Sequence, residues 1–249
     1  MSKADVSRRT LLTIGALVGA EAGLDTLPAG ARTYSREVPW QPGEANAPVP
    51  AEPGGYRYLS PAEATCLDAM VARLIPADDT GPGAVEAGVT TFIDRQLDGP
   101  YGRAQRWYMQ GPWQTGSDGQ GYQTRLTPAQ LYRAALADID AHCTQTFDDK
   151  TFSALAGEQQ DELLTALEKD TLALPNAPAK TFFDLLLQNT IEGFFSDPLY
   201  GGNRDMVGWK LIGFPGARYD YRPYVGKHNQ RLDLPPVGIL GRPGWQVGD

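Results

Sequence analysis

The residues best suited to chemistry lie in one short segment, DPLYGGNRDMVGWKLIGFPG, which spans residues 197–216. Its charged and amide side chains stand among glycines, prolines and one tryptophan; they are Asp197, Asn203, Arg204, Asp205 and Lys210. Two carboxylates in one loop could serve as a general acid and a general base. They could also cap turns and pair with Arg204 or Lys210, and the residue pattern favours this structural role.

Other candidate sites lack the features that their chemistry needs. The segment GGNRDMVGWK has no Gly-Lys-Ser/Thr step, and no G-x-G-x-x-G follows a strand pattern. The stretch ADDTGPG lacks the alternating oxygen ligands of a calcium loop. His142 follows the apolar face of a predicted helix, and His228 lies in a polar loop without the signature of a nucleophile–His–acid triad. The sequence therefore predicts no catalytic residue, no cofactor-binding residue and no metal ligand in this chain.

Aromatic side chains are concentrated outside the predicted helices. All five tryptophans fall in predicted arms or loops; they are Trp40, Trp107, Trp113, Trp209 and Trp245. Three tyrosines crowd the segment ARYDYRPYVGK; they are Tyr219, Tyr221 and Tyr224. Aromatic and arginine residues on irregular backbone are typical of protein–protein interfaces. They also line carbohydrate clefts, and the sequence pattern does not separate these two functions.

The elements that must position these residues are helical. Ser60 and Thr127 each precede a proline and stand three residues before Glu63 and Gln130, which predicts two helices that begin with capping boxes. Apolar residues at helical spacing predict further helices in AVEAGVTTFIDRQL, which should bury Val85, in EQQDELLTALEKDTLAL and in AKTFFDLLLQNTIEGFF, the central helix. The sequence predicts an all-α fold: a single domain of four to six helices with long irregular loops rich in aromatic residues, glycine and proline, and extended arms at both ends.

The N-terminus has the pattern of an export signal. Residues 1–31 combine a basic start, an apolar run too short to span a bilayer and an Ala-Gly-Ala cleavage site. Arg8 and Arg9 are adjacent and favour a twin-arginine signal over an ordinary secretory one, which predicts a periplasmic protein. Residues 32–55 are rich in proline and predict an extended arm, which leaves residues 56–249 as the domain.

Charge and cysteine content restrict the function further. The formal net charge is −8, which disfavours a nucleic-acid-binding role. The two cysteines, Cys66 and Cys143, can form a disulfide in an oxidising compartment, or they can remain as two buried free thiols.

Several segments resemble the gluconate 2-dehydrogenase subunit 3 family. The resemblance covers about residues 56–240 and is strongest in TIEGFFSDPLYGGNRDMVGWKLIGFPGARYDYRPYV, with further matches in YRYLSPAEATCLDAMVARLIPADDTGPGAVEAGVTTFIDRQL, RWYMQGPW and LTPAQLYRAAL. It implies a non-catalytic small subunit without a cofactor of its own. Its larger partner would be of the glucose–methanol–choline oxidoreductase type, would bind FAD and would oxidise a sugar or sugar acid such as gluconate, glucose, fructose or sorbitol.

The resemblance also implies a role in assembly. A multihaem cytochrome c subunit would be a third partner and would link the complex to the inner membrane, and this chain would escort the folded large subunit through twin-arginine export. The predicted partner interface comprises Trp107, Tyr108, Trp113, Tyr200, Asn203, Arg204, Asp205, Trp209, Tyr219 and Tyr221. Whether the segment 197–216 reaches the partner's substrate entrance or flavin stays open. A free-standing periplasmic carbohydrate-binding protein or enzyme that uses the aromatic loops is the alternative function.

Overall fold

The computed structural model describes residues 55–239 except 115, 219, 231 and 233. In this part of the chain there are six α-helices and no strands, which confirms the all-α prediction. The helices are α1 (Pro61–Leu74), α2 (Val89–Asp98), α3 (Pro128–Thr146), α4 (Gly157–Glu168), α5 (Ala179–Phe195) and α6 (Val207–Ile212). The predicted signal peptide with Arg8 and Arg9, and nearly all of the predicted arm 32–55, lie outside the described residues.

The two predicted capping boxes are present. Ser60 Oγ accepts a hydrogen bond from the Glu63 backbone N–H, and the Glu63 carboxylate accepts one from the Ser60 N–H at 2.8 Å. Thr127 and Gln130 form the same reciprocal pair at the start of α3. Each box satisfies backbone donors that have no partner inside the helix, so these two helix starts are determined locally.

The predicted second helix begins later than its apolar pattern suggests. Helix α2 starts at Val89, and Gly88 before it adopts a left-handed backbone with φ 77°. The preceding segment instead packs on the end of α1, where the Ala84 N–H donates to the Ile75 carbonyl at 2.8 Å. The prediction that Val85 is buried is therefore wrong, because Val85 lies in a turn and is 39% exposed.

Helix α5 is the centre of the domain. It packs against each of the other five described helices, and Phe182 and Leu186 on it are fully buried. Asn189, also buried, donates from Nδ2 to the Tyr132 hydroxyl and accepts from the Tyr101 hydroxyl, both at 3.0 Å. This amide therefore joins α5 to α3 and to the long aromatic loop between α2 and α3.

After α5, the residues that the structure describes form turns and one short helix. Short 3₁₀ turns at Pro198–Tyr200 and Arg204–Met206 lead into α6, and a further one spans Arg222–Tyr224. A single parallel bridge pairs Gly216 with Val237. This irregular segment agrees with the predicted absence of a strong helix after residue 196.

Candidate partner interface

The segment 197–216 begins with a carboxylate that binds backbone on both sides. Asp197 is 8% exposed, and its Oδ1 accepts from the Leu199 N–H at 2.9 Å. Its Oδ2 accepts from the Ile239 N–H at 2.7 Å. Asp197 thus caps the turn after α5 and holds the C-terminal part of the described chain against it, which is a structural role.

Asn203 fixes the next turn. Its side chain is fully buried, with Oδ1 accepting from the Gly208 N–H and Nδ2 donating to the Ser196 carbonyl, both at 2.8 Å. Asn203, Asp205 and Met206 all have left-handed backbone, with φ of 45°, 55° and 55°. Such conformations cost on the order of 1 kcal/mol each outside glycine, so the buried amide holds together a strained loop.

Two glycines allow this loop to lie directly on the end of α5. A Cβ at Gly202 would overlap the Gly193 carbonyl oxygen, and one at Gly208 would overlap the Phe194 carbonyl oxygen. Both contacts are with backbone, which cannot move aside as a flexible side chain can. The glycines therefore serve close packing between the loop and α5.

Trp209 anchors α6 from beneath. It is 5% exposed, its Nε1 donates to the Phe195 carbonyl at 2.7 Å, and Phe214 meets its ring edge-on at 5.1 Å between centroids. Trp209 is part of helix α6, whereas the sequence predicted that it lies in a loop. Trp209 and Asn203 support the predicted interface from inside the domain and offer little surface of their own.

The outer side of the same segment is apolar. Leu211 is 52% exposed, Ile212 60% and Phe214 43%. Tyr200, Arg204 and Asp205 are also exposed, and the Arg204 N–H donates to the Ala87 carbonyl at 2.9 Å. Sequence reasoning did not single out Leu211, Ile212 and Phe214, because the apolar run there is too short to show which of its side chains are exposed.

A family model described as gluconate 2-dehydrogenase subunit 3 matches residues 61–216, which includes the whole loop and α6. The chain belongs to the gluconate 2-dehydrogenase subunit 3 family. Comparison with the curated proteins and with the solved structures gives no match. Since the family is described as one subunit of a dehydrogenase, this chain has a larger catalytic partner.

The other predicted interface residues of this subunit 3 chain lie in separate segments. Trp107 is half-buried and packs between Tyr101 and Tyr122, with ring centroids 5.6 Å and 4.8 Å away. Tyr108 beside it is 81% exposed, and Trp113 is half-buried. Tyr221 is 37% exposed and donates its hydroxyl to the Gly216 carbonyl. Tyr219 lies outside the described residues.

The two cysteines of this subunit are free and buried, so the structure contains the free-thiol alternative and no disulfide. The Cys66 Sγ lies 3.7 Å from the Asp140 carboxylate, which also accepts from the Phe152 N–H at 3.0 Å. Burial, with the nearby Asp140 charge, raises the pKa of Cys66 well above its ordinary value and that of Cys143 to about 11. Both thiols are therefore protonated at neutral pH.

Two further observations concern the described residues alone. Within them, no group of three or more His, Cys, Asp or Glu side chains is placed to hold a metal ion. No helix in this part of the chain is long and apolar enough to cross a membrane.

Proposed function

We propose that this chain is the non-catalytic small subunit of a periplasmic, membrane-associated dehydrogenase that oxidises a sugar or sugar acid of the gluconate, glucose, fructose or sorbitol type. Its larger partner, of the glucose–methanol–choline oxidoreductase type, binds FAD and carries out the oxidation. A multihaem cytochrome c subunit receives the electrons. The small subunit stabilises the complex and escorts the folded large subunit through the twin-arginine export route.

The architecture of the segment 197–216 carries this proposal. Its most reactive residue types are engaged in holding backbone, as shown by Asp197, Asn203 and the Trp209 indole. Its exposed side chains combine an apolar group, Leu211, Ile212 and Phe214, with charged residues. A loop of this kind is suited to presenting a surface to another protein, and the family match supplies the reason for a partner.

The attachment of the N-terminal segment supports the escort role. The Asp94 carboxylate is 1% exposed and accepts from the backbone N–H groups of Arg57, Tyr58 and Leu59 at 2.8–2.9 Å. The first described residues are thus held by three hydrogen bonds to the folded domain. Since the twin-arginine route transports folded proteins, a signal that precedes this folded domain in the same chain would carry the domain and a docked partner together.

The test is a gentle purification of the tagged chain from its native periplasm and membrane fraction. We expect a large chain to co-purify, the eluate to show flavin absorbance, and an artificial electron acceptor to be reduced with one of gluconate, glucose, fructose or sorbitol. The matched control is the same tagged chain expressed without its neighbours, which should be colourless. A solitary native chain that binds sugar by itself would instead support the carbohydrate-binding alternative.

A further inference from the structure

The exposed face of α6 forms a ridge between two clefts. We use the name α6 ridge for Lys210, Leu211, Ile212 and Phe214. Lys210 and Leu211 line both clefts, so the ridge is the wall that separates them. Because Trp209 fixes the helix from below through its hydrogen bond to Phe195, the ridge has a defined position before any partner binds. A preformed surface loses less conformational entropy on binding than a flexible one.

The first cleft lies between α6 and the end of α1. It has a volume of about 560 Å³. Its apolar lining comes from the ends of α1 and α5 and from α6; it includes Leu74, Ile75, Pro76, Phe194, Val207 and Leu211. Asp78 and Thr80 lie at one edge, where they hydrogen-bond to each other. This cleft can therefore accept an apolar side chain with a polar group at its edge.

The second cleft lies between α6 and the returning C-terminal segment. It has a volume of about 810 Å³. Aromatic, aliphatic and proline side chains form its walls; these include Trp209, Ile212, Phe214, Leu234, Pro235 and Pro236. The Arg218 guanidinium donates to the carbonyls of Pro215 and Pro235, which both line this cleft, so a cation lies beside it.

The ridge belongs to the basic part of an acidic protein. Residues 201–239 carry six Arg or Lys and three Asp or Glu, whereas residues 57–200 carry ten Arg or Lys and twenty Asp or Glu. Neither Lys210 nor Arg218 makes an ion pair with any residue that the structure describes. A partner whose surface has carboxylates around an apolar centre would therefore bind the ridge more favourably than a partner without them.

We propose that the α6 ridge and its two clefts are the docking surface for the larger catalytic subunit, which inserts apolar side chains into both clefts and places carboxylates near Lys210 and Arg218. This inference rests on the proposed function and assigns the partner to one face of the chain. Clefts on both sides of a ridge suit a protein with protruding side chains, since interface cores are packed as densely as protein interiors.

Two other occupants fit the observations less well. A membrane surface has no protrusions to fill the clefts. Lys210 and Arg218 are also fewer than the clusters of about four to eight basic residues that are typical of binding to anionic lipid. A second copy of this chain would present an acidic helical domain to the ridge. That contact joins two different faces, however, and such contacts form rings or open filaments.

The experiment compares four variants of the full tagged chain in the native purification. The first is the double variant Leu211→Glu/Ile212→Glu, and its matched control is Ile191→Glu, since Ile191 is 46% exposed on α5 and lines neither cleft. Lys210→Glu, with Lys210→Arg as its control, tests the charge. Thermal unfolding and circular dichroism of each free chain establish that it is folded.

We expect roughly tenfold less large subunit and flavin to co-purify with the double variant than with the wild type. A change of this size is typical of residues at the centre of an interface. Ile191→Glu and Lys210→Arg should recover wild-type amounts. Lys210→Glu should recover less at low salt, and its deficit relative to the wild type should shrink as salt is raised, because salt screens the repulsion between Glu and the partner's carboxylates. A folded double variant that recovers the large subunit normally would overturn the docking surface and leave the proposed function intact.

Other outcomes separate the remaining occupants. If the wild type recovers no large subunit, the proposed function fails and the docking assignment fails with it. If the wild type binds vesicles of phosphatidylcholine and phosphatidylglycerol and the double variant does not, while both assemble equally, the ridge is a membrane contact. If the wild type self-associates in size-exclusion chromatography and the double variant is monomeric but still assembles, the occupant is a second copy.

Discussion

Two buried carboxylates act in the same way at the two ends of the described domain. Asp94 accepts from three successive backbone N–H groups where the chain enters the domain. Asp197 accepts from Leu199 and from Ile239 near the other end. Hydrogen bonds to a charged acceptor are about twice as strong as neutral ones. Both carboxylates therefore determine where the N-terminal and C-terminal segments leave the helices.

Replacing Asp94 should destabilise the free chain strongly. Asp94→Ala removes the acceptor of one buried N–H, that of Leu59, and of two partly buried ones, those of Arg57 and Tyr58. We expect the free energy of unfolding to fall by about 2–4 kcal/mol. Urea denaturation followed by circular dichroism measures this change. The matched control is Asp98→Asn on the same helix, which is exposed and should change the stability by less than about 0.5 kcal/mol. Equal stability of Asp94→Ala and the wild type would contradict the anchoring role.

The buried thiols should be unreactive in the folded chain. With the Cys143 pKa at about 11, only about 0.1% of this thiol is ionised at pH 8, compared with roughly a quarter for an unperturbed cysteine. Alkylation at pH 8 should therefore be slow for the native chain and fast in denaturant. Mass spectrometry of alkylated peptides measures both rates.

The raised Cys143 pKa also predicts the direction of a pH effect. The protonated thiol is favoured by the fold, so its contribution to stability is complete below the unfolded pKa of about 8.5 and is lost as pH rises toward about 11. Urea denaturation from pH 8 to pH 10.5 should show this loss, and Cys143→Ala should reduce it.

In the alkylation experiment, rapid modification of the native chain at pH 8 would contradict the prediction, because it would show that the thiols are accessible and ionised.

Helix α6 depends on tertiary contacts for its existence. Six residues are far too few for a helix that is stable by itself in water. Its position comes from Gly202 in the loop before it and from Gly208 in its own first turn, which both approach carbonyl oxygens of α5. It follows that the docking surface and the packing of the loop form one structural unit.

Adding one methyl group to this unit should disturb both stability and assembly. Gly208→Ala places a Cβ against the Phe194 carbonyl oxygen, and we expect it to destabilise the chain by about 1–3 kcal/mol because the loop must move away from α5. Gly226→Ala is the matched control, since nothing lies within 4 Å of its added Cβ. The melting temperature and the amount of large subunit recovered should both fall for Gly208→Ala and stay at wild-type values for Gly226→Ala. A variant with unchanged melting temperature would refute the close-packing role of this glycine.

Sequence predicted those elements whose signals are local. The capping boxes at Ser60 and Thr127 and the apolar period of α5 lie within one helix each, so the corresponding starts and the central helix agree with the structure. The start of α2 was missed because its signal is the left-handed Gly88 and the hydrogen bond from Ala84 to Ile75. Neither feature is visible in the helical spacing of apolar residues.

The candidate interface was less predictable for the same physical reason. Asn203 lies in an irregular turn and Trp209 in a helix of only six residues. Their burial is set by hydrogen bonds to carbonyls at the end of α5, which no helical period makes visible. The exposed apolar residues Leu211 and Ile212 were missed because a six-residue helix is too short for a face to be recognised. Composition identified the segment, but packing decides which of its side chains are accessible.

At the scale of the whole molecule, the distribution of charge supports the proposed assembly. An acidic helical domain carries a basic C-terminal segment, and the α6 ridge lies within that segment. The first described residues, 57–59, are held on the same domain by hydrogen bonds to Asp94. Because the predicted export signal precedes these residues in the same chain, a partner docked on the ridge would travel with it, as the proposed escort role requires.

The escort role predicts that export of both subunits depends on Arg8 and Arg9. In Arg8→Lys/Arg9→Lys the basic charge is kept and the twin-arginine pair is lost, so we expect roughly tenfold less of this chain and of its flavin-containing partner in the periplasm and membrane fraction. Both should accumulate as a complex inside the cell. Lys3→Arg, which leaves the pair intact, is the control, and immunoblots with dye-reduction assays of each fraction provide the measurement. Normal export of the double variant would reject the twin-arginine route. Normal export of the large subunit beside a retained small subunit would reject the escort role alone.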